Sequence, residues 1–266
     1  MSTTPSAPLS YGELPDQVAD LFLPSQADAH PVPLVLLFHG GYWRAEHDRM
    51  HIEPFARALV RDTGYAVASV EYRRVGAGGG WPTTLTDTAR AVDRLPQLAA
   101  EASPGRIDPT RVAYAGHSAG GHLALWAATR HRLPAGAPGR TDTPPPIRGV
   151  LALAPTADLA FIDELGSGQG AVAAFLGGGR AEVPDRYAAA DPAALGAPAG
   201  HTVLVHGTAD KALPLTMIRR YADTTGATLH PVPDGGHFDV VDPASAAWPV
   251  VLSALRTIVG TAPRDA

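Results

Sequence analysis

Residues 116–120, Gly116-His117-Ser118-Ala119-Gly120, set a serine between glycines two positions away on either side. An apolar, strand-like run (112–115) precedes them and a helix-like run (123–129) follows. A serine at such a turn must adopt a strained backbone, and the flanking glycines let neighbouring segments pass close while the hydroxyl projects. The chemistry this suits is attack on a carbonyl carbon by Ser118. Serine is a weak nucleophile at neutral pH, so it needs a base to take its proton and a carboxylate to hold that base in one tautomer.

Two later segments offer those groups. His206-Gly207-Thr208-Ala209-Asp210 follows an apolar run at 203–205, and Asp234-Gly235-Gly236-His237 follows another at 228–232. The chain order Ser118, Asp210, His237 is that of one serine-hydrolase arrangement. Asp234, Asp239 and Asp242 compete with Asp210 but lie too near His237 in sequence to reach across its ring. Of the 11 histidines, His206 and His230 sit at strand ends, His117 at the variable position of the turn and His122 at the start of the next helix. Only His237 combines a Gly-rich loop with the right chain order. Attack on a carbonyl also needs donors for the oxyanion, worth ~3 kcal/mol each. His39-Gly40-Gly41-Tyr42 ends an apolar run at 34–38 and offers the N–H groups of Gly41 and Tyr42, to act with that of Ala119.

The elements that must position these residues read as an α/β alternation. Strands are expected at 18–23, as an edge, and at 34–38, 66–70, 112–115, 150–154, 203–205 and 228–232. Helices are expected at 53–63, 83–102, 123–129, 215–225 and 246–258. Pro96 should kink or divide the second helix. Parallel strands joined by helices bring strand C-terminal ends to one edge, where open α/β sheets place ligands. Residues 1–266 are expected to form a single α/β domain, with 1–15 disordered and 155–200, broken by glycines, forming a small lid over the sheet.

The chain has 266 residues, 45% of them hydrophobic, enough for one sizeable core. Its net charge is -5, and no basic stripe is present, which argues against nucleic acid as a partner. Cysteine is absent, excluding disulfides, thiolate metal sites and a cysteine nucleophile. No run is long and apolar enough for a membrane span, and residues 1–10 lack the pattern of a leader, so a cytoplasmic protein without membrane partners is expected.

These residues resemble the α/β-hydrolase fold, in particular its branch with a His-Gly-Gly-x-Trp oxyanion motif, here His39-Gly40-Gly41-Tyr42-Trp43. Gly116 to Gly120, His206-Gly207-x-x-Asp210-x-x-Leu213-Pro214 and Gly236-His237 match the pattern shared in that branch, which holds small carboxylesterases, kynurenine formamidase and relatives of the prolyl oligopeptidase catalytic domain. The Tyr42-Trp43 version is most similar to kynurenine formamidase. The resemblance implies a mostly parallel sheet flanked by helices, and hydrolysis of a small-molecule ester or amide through an acyl-enzyme, with no cofactor and no metal, by the chain alone or as a homodimer.

Tyr42, Trp43 and Trp81, with Phe161 or Phe175 from the lid, are expected to form an apolar wall suited to an aryl group, or else to pack the loops as core residues. Two rivals remain. His47-Asp48-Arg49-Met50-His51 puts two histidines at i, i+4 as in zinc hydrolases, but with Asp where Glu is usual and with no evident third ligand. A ligand-binding protein on a hydrolase fold is the non-enzymatic reading, and its usual sign, a missing triad residue, is not seen.

Overall fold

The computed structural model describes residues 8–25, 30–143 and 146–260. Its strands are β1 (Leu9–Ser10), β2 (Val18–Phe22), β3 (Val32–Phe38), β4 (Ala66–Val70), β5 (Ile107–His117), β6 (Gly149–Leu153), β7 (His201–Gly207) and β8 (Thr228–Val232). They form one eight-stranded sheet in the order β1-β2-β4-β3-β5-β6-β7-β8. The pairs β1/β2 and β2/β4 are antiparallel and all later pairs parallel. Strands β3, β4 and β6 are buried along their whole length and apolar except for Ser69, because both faces are covered. Along β3, Leu34, Leu36 and Phe38 enter one core, with α2 (Thr83–Ala102) and α3 (Ala119–Thr129), while Val35 and Leu37 enter the opposite one, with α1 (Glu53–Thr63) and α9 (Trp248–Val259). The mostly parallel sheet flanked by helices is the α/β-hydrolase arrangement.

Register brings the C-terminal strand ends together. Phe38 of β3 pairs with Gly116 of β5, Leu153 of β6 with Val205 of β7, and Gly207 of β7 with Val232 of β8. The loops carrying residues 39–43, 118, 210 and 237 therefore leave one edge of the sheet.

Three expectations are corrected. Residues 8–15 are ordered, because Leu9–Ser10 pairs with β2 and the Tyr11 ring is fully buried with its hydroxyl donating to the Glu71 carbonyl at 2.6 Å; residues 1–7 of the expected disordered stretch lie outside the described residues. The strand expected at 18–23 is not the edge, since the two-residue β1 covers it. Helix α2 runs unbroken through Pro96, whose half-exposed ring faces away from the core. Between β6 and β7, the span expected as a lid folds into α4 (Leu159–Glu164), α5 (Ala171–Leu176), α6 (Pro184–Ala190) and α7 (Pro192–Leu195). Helix α8 (Leu215–Thr225) joins β7 to β8. No helix among the described residues is long and apolar enough to cross a membrane.

Candidate active site

Ser118 lies at the junction of β5 and α3 with φ 54° and ψ -118°, a strained conformation for a residue with a side chain. Its N–H donates to Leu153 O at 2.9 Å, and its carbonyl accepts from His122 N and Thr156 N, both at 3.1 Å, so the turn is pinned from β6 and from α3. The glycines around it are there for clearance. A Cβ on Gly116 would strike the Gly120 carbonyl, and one on Gly120 would strike the Phe38 carbonyl. Ala119 is the first residue of α3, where an N–H has no partner within the helix.

The 39–43 loop faces Ser118 with three successive positive φ values, 106° at Gly41 and 55° at both Tyr42 and Trp43. Strain of this kind persists only when the surroundings over-determine the backbone. His39 supplies much of that determination. Its Nε2 meets Glu71 Oε1 at 3.1 Å, its Nδ1 meets the Gly40 carbonyl at 2.8 Å, and its ring stacks on Tyr72 at 4.4 Å, whose hydroxyl donates to the His39 carbonyl at 2.7 Å. Glu71 is 1% exposed and also accepts from the N–H groups of Arg49 and Tyr72. Burial alone pushes its carboxyl up, but the His39 contact and the backbone donors outweigh it and hold it below the usual range. Among the described residues, the N–H groups of Gly41 and Tyr42 have no acceptor. These two N–H groups and that of Ala119 are the ones that the sequence offers as oxyanion donors.

Asp210 and His237 meet across the β7 and β8 loops. His237 Nδ1 donates to Asp210 Oδ2 at 2.7 Å, and Asp210 Oδ1 accepts from Ala212 N at 2.8 Å and Leu213 N at 2.9 Å. The Asp210 side chain is fully buried, which pushes its pKa up, but the bonds from His237 and from the backbone N–H groups prevail and hold it below the usual carboxylate range. None of the competing acids touches His237. Asp239 Oδ2 accepts from Gly236 N at 2.7 Å, Asp242 Oδ1 accepts from Ala244 N at 2.9 Å, and Asp234 donates its N–H to Thr208 Oγ1 at 2.8 Å.

His117, assigned no role from the sequence, braces this loop. It is 2% exposed, and its Nε2 donates to the His237 carbonyl at 2.9 Å. Burial, then the nearby His237, pushes its pKa down to about 3, so it stays neutral at working pH. Glu71 and Tyr72, which hold His39, and His117, which holds the His237 carbonyl, have no assignment in the sequence reading. The one local sign was an acidic residue directly after the apolar run of β4.

Ser118 and His237 line a cavity of about 400 Å³ together with Gly41, Tyr42, His47, His51, Lys211 and Phe238. A second cleft, of only about 10 Å³, opens from the same two residues and is walled by Trp43, Ile162, Ala171, Val172 and Leu213. Of the five aromatics expected around the substrate, Tyr42 and Trp43 reach these walls. Phe175 is fully buried and stacked on Trp43 at 4.6 Å, and Trp81 packs against the core with its N–H bonded to the Phe175 carbonyl. Phe161 turns to a separate depression, under the Arg220 guanidinium at 5.4 Å. The lid's path decided this, since it places α5 behind the site and the Phe161 side of α4 beyond it. His47 and His51 lie with ring centroids 5.5 Å apart, and among the described residues no group of three or more His, Cys, Asp or Glu is placed to hold a metal ion.

Two buried histidines make a prediction about stability. His117 at about 3 and His122 at about 4, both lowered chiefly by burial, sit below the free value of 6.5. Each therefore stabilises the fold fully above about pH 6.5 and loses that contribution as pH falls toward its folded value, at about 1.4 kcal/mol per unit. Asp191, raised by burial to about 6, acts in the opposite sense over the same range. From these three groups the expectation is a loss of about 3 kcal/mol between pH 6.5 and 4.5. His122→Gln, which keeps a donor for the Ala190 carbonyl, should flatten the dependence of the urea midpoint on pH; an unchanged slope would remove His122 from the explanation.

A family model, BD-FAE, matches residues 19–221, most of the chain. Among curated proteins, the chain is 38% identical over 124 residues to the non-reducing polyketide synthase Preu3 of Preussia isomera, an alignment covering 44% of this chain and 5% of that protein. It is 34% identical over 107 residues to the carboxylesterase NlhH of Mycobacterium tuberculosis, covering 40% of this chain and 32% of that one. The matched stretches thus span a minor part of these relatives. Two solved structures share the fold. A truncated carbohydrate esterase from gut microbiota superposes with a TM-score of 0.78 at 20% identity, covering 96% of each chain. The esterase Est2 of Thermogutta terrifontis superposes with a TM-score of 0.72 at 21% identity, covering 96% of this chain and 91% of that one. With the serine turn, the 39–43 loop and the Asp210 loop all inside the matched span, the chain belongs to the BD-FAE family.

Proposed function

We propose that the protein is a serine esterase that removes a short acyl group from a small-molecule ester. The observation that carries this reading is the His237 imidazole, held by the buried Asp210 carboxylate, on one cavity wall with the strained Ser118 and the unpaired N–H groups of Gly41 and Tyr42. His237 Nε2 takes the Ser118 proton as Oγ bonds to the carbonyl carbon. The oxyanion rests on the N–H groups of Gly41, Tyr42 and Ala119. The C–O bond to the alcohol then breaks, and His237 returns the proton to the departing oxygen. Water repeats the cycle on the acyl-enzyme and releases the carboxylic acid. Asp210 remains ionised throughout, and no metal or organic cofactor takes part.

The two clefts divide the substrate. The wide cavity is built from the loops that carry Asp210 and His237, where the leaving oxygen must collect its proton. The narrow one, about 10 Å³, has room for about one water-sized group and so suits an acetyl methyl. Acetate esters of an aryl alcohol should exceed propionates in kcat/KM by roughly 10–200-fold, at roughly 1–3 kcal/mol for the one methylene that does not fit. Ile162→Ala should widen the cleft and shift the optimum toward butyrate. A flat chain-length profile in both proteins would contradict this assignment of the narrow cleft.

A formyl group is smaller still, and the same narrow cleft supports arylformamidase activity as a second reading. Formyl-kynurenine compared with phenyl acetate on the purified protein separates the two: ester turnover without formamidase activity leaves the esterase, and neither activity defeats both.

A further inference from the structure

Lys211 is the only lysine in the chain. It is exposed, forms no ion pair among the described residues, and lines the wide cavity beside Ser118 and His237. The other polar side chains on that wall include His47 and His51, and no acidic residue lines it. Arg44 adds a further cation behind it, with its guanidinium 5.6 Å from the centre of the Tyr42 ring. Of the carboxylates near in sequence, Asp210 is committed to His237 and two backbone N–H groups, Asp239 to Gly236 N–H and Asp48 to Met50 N–H, while Glu46 and Asp234 are exposed and do not line the cavity. In a chain of net charge -5, a substrate-sized cavity thus shows a free ammonium and no anion.

We propose that Lys211 selects esters whose alcohol portion carries a carboxylate. The inference rests on the esterase reading and on the leaving group occupying the wide cavity. Such an alcohol places its anion against the ammonium, while the short acyl group lies in the narrow cleft. The bond broken is the same ester C–O bond, and the alcohol leaves as a free acid-bearing alcohol with the proton from His237. The pairing acts in the bound ester and its transition state alike, so it appears in KM rather than in kcat. At an exposed rim it is also weakened by salt.

The test uses two acetate esters of similar shape, 4-acetoxybenzoate and the neutral 4-acetoxybenzamide. The ratio of their kcat/KM values in each enzyme, compared between enzymes, cancels intrinsic leaving-group reactivity. Lys211→Gln is expected to lower the anionic-to-neutral ratio about tenfold through KM, Lys211→Arg to restore it, and Lys211→Glu to push it lower still. Raising salt from 0.05 to 0.5 M should shrink the wild-type ratio and leave that of Lys211→Gln nearly constant. Equal ratios in wild type and Lys211→Gln, with both esters cleaved, would overturn the assignment of Lys211 while leaving the esterase standing. Absence of Ser118-dependent cleavage of either ester would overturn both.

Discussion

Ser118→Ala is expected to lower kcat/KM on aryl acetates by about 10⁶-fold while leaving the fold intact. Removing Oγ eliminates the acyl-enzyme route, and what remains is the stabilisation that oxyanion donors give to direct attack by water, ~10³-fold over the uncatalysed reaction. The substitution is structurally mild. Alanine keeps the Cβ that the turn already accommodates at φ 54°, and the pins holding the turn are backbone bonds to Leu153, His122 and Thr156. A fluorophosphonate probe should label the wild type at Ser118 and fail to label the variant. Undiminished ester turnover by a folded Ser118→Ala protein would transfer the chemistry to another group. Labelling of neither protein would favour the ligand-binding alternative.

The loops needed for that experiment were legible because each follows a run whose composition admits one interpretation. The apolar runs within β3 (34–38), β5 (112–115) and β7 (203–205) are short and buried, and each is followed directly by His or Gly at the sheet edge. Burial on both faces leaves no alternation to misread, and parallel connectivity then brings the ends together. Asp210 was separable from its neighbours by reach alone, since a carboxylate on the adjacent strand end meets the far side of the His237 ring. Contacts set by three-dimensional paths were not legible. Glu71 holds His39 across the β4/β3 pairing, His117 reaches a carbonyl 120 residues away, and the aromatic wall depended on how glycine-broken helices cross the sheet. In each case the side chain's partner is chosen by topology, while local sequence carries only its polarity. The buried and non-catalytic His206 has the same origin: it bonds the Leu213 carbonyl at 3.1 Å and lies 3.6 Å from Asp210 Oδ2, a placement fixed by the turn after β7.

Asp210→Asn should lower kcat by about 10⁴-fold, and the reason lies in how Asp210 is held. Its Oδ1 accepts from Ala212 N and Leu213 N, while Oδ2 faces His237 Nδ1. An asparagine in that position has one acceptor oxygen and one amide nitrogen. The two backbone N–H groups bind the oxygen, so the NH₂ turns to His237 and donates where the carboxylate accepted. Nδ1 must then be the unprotonated nitrogen, which moves the ring proton to Nε2 and removes the lone pair that takes the Ser118 proton. The variant loses the base by tautomer, with every heavy atom close to its original place. Fluorophosphonate labelling of Ser118 should therefore slow in parallel with ester turnover, while the urea midpoint shifts little, because both backbone bonds persist. The alternative orientation, with the amide facing the backbone, sets its N–H donors against those of Ala212 and Leu213 and leaves all of them unpaired in a buried site, at about 1–3 kcal/mol for each group. A variant that retained turnover within tenfold of wild type would show that His237 is oriented by something other than Asp210. His206, the nearest buried neighbour, offers no carboxylate for that purpose, and Asp239 is engaged by Gly236 N–H.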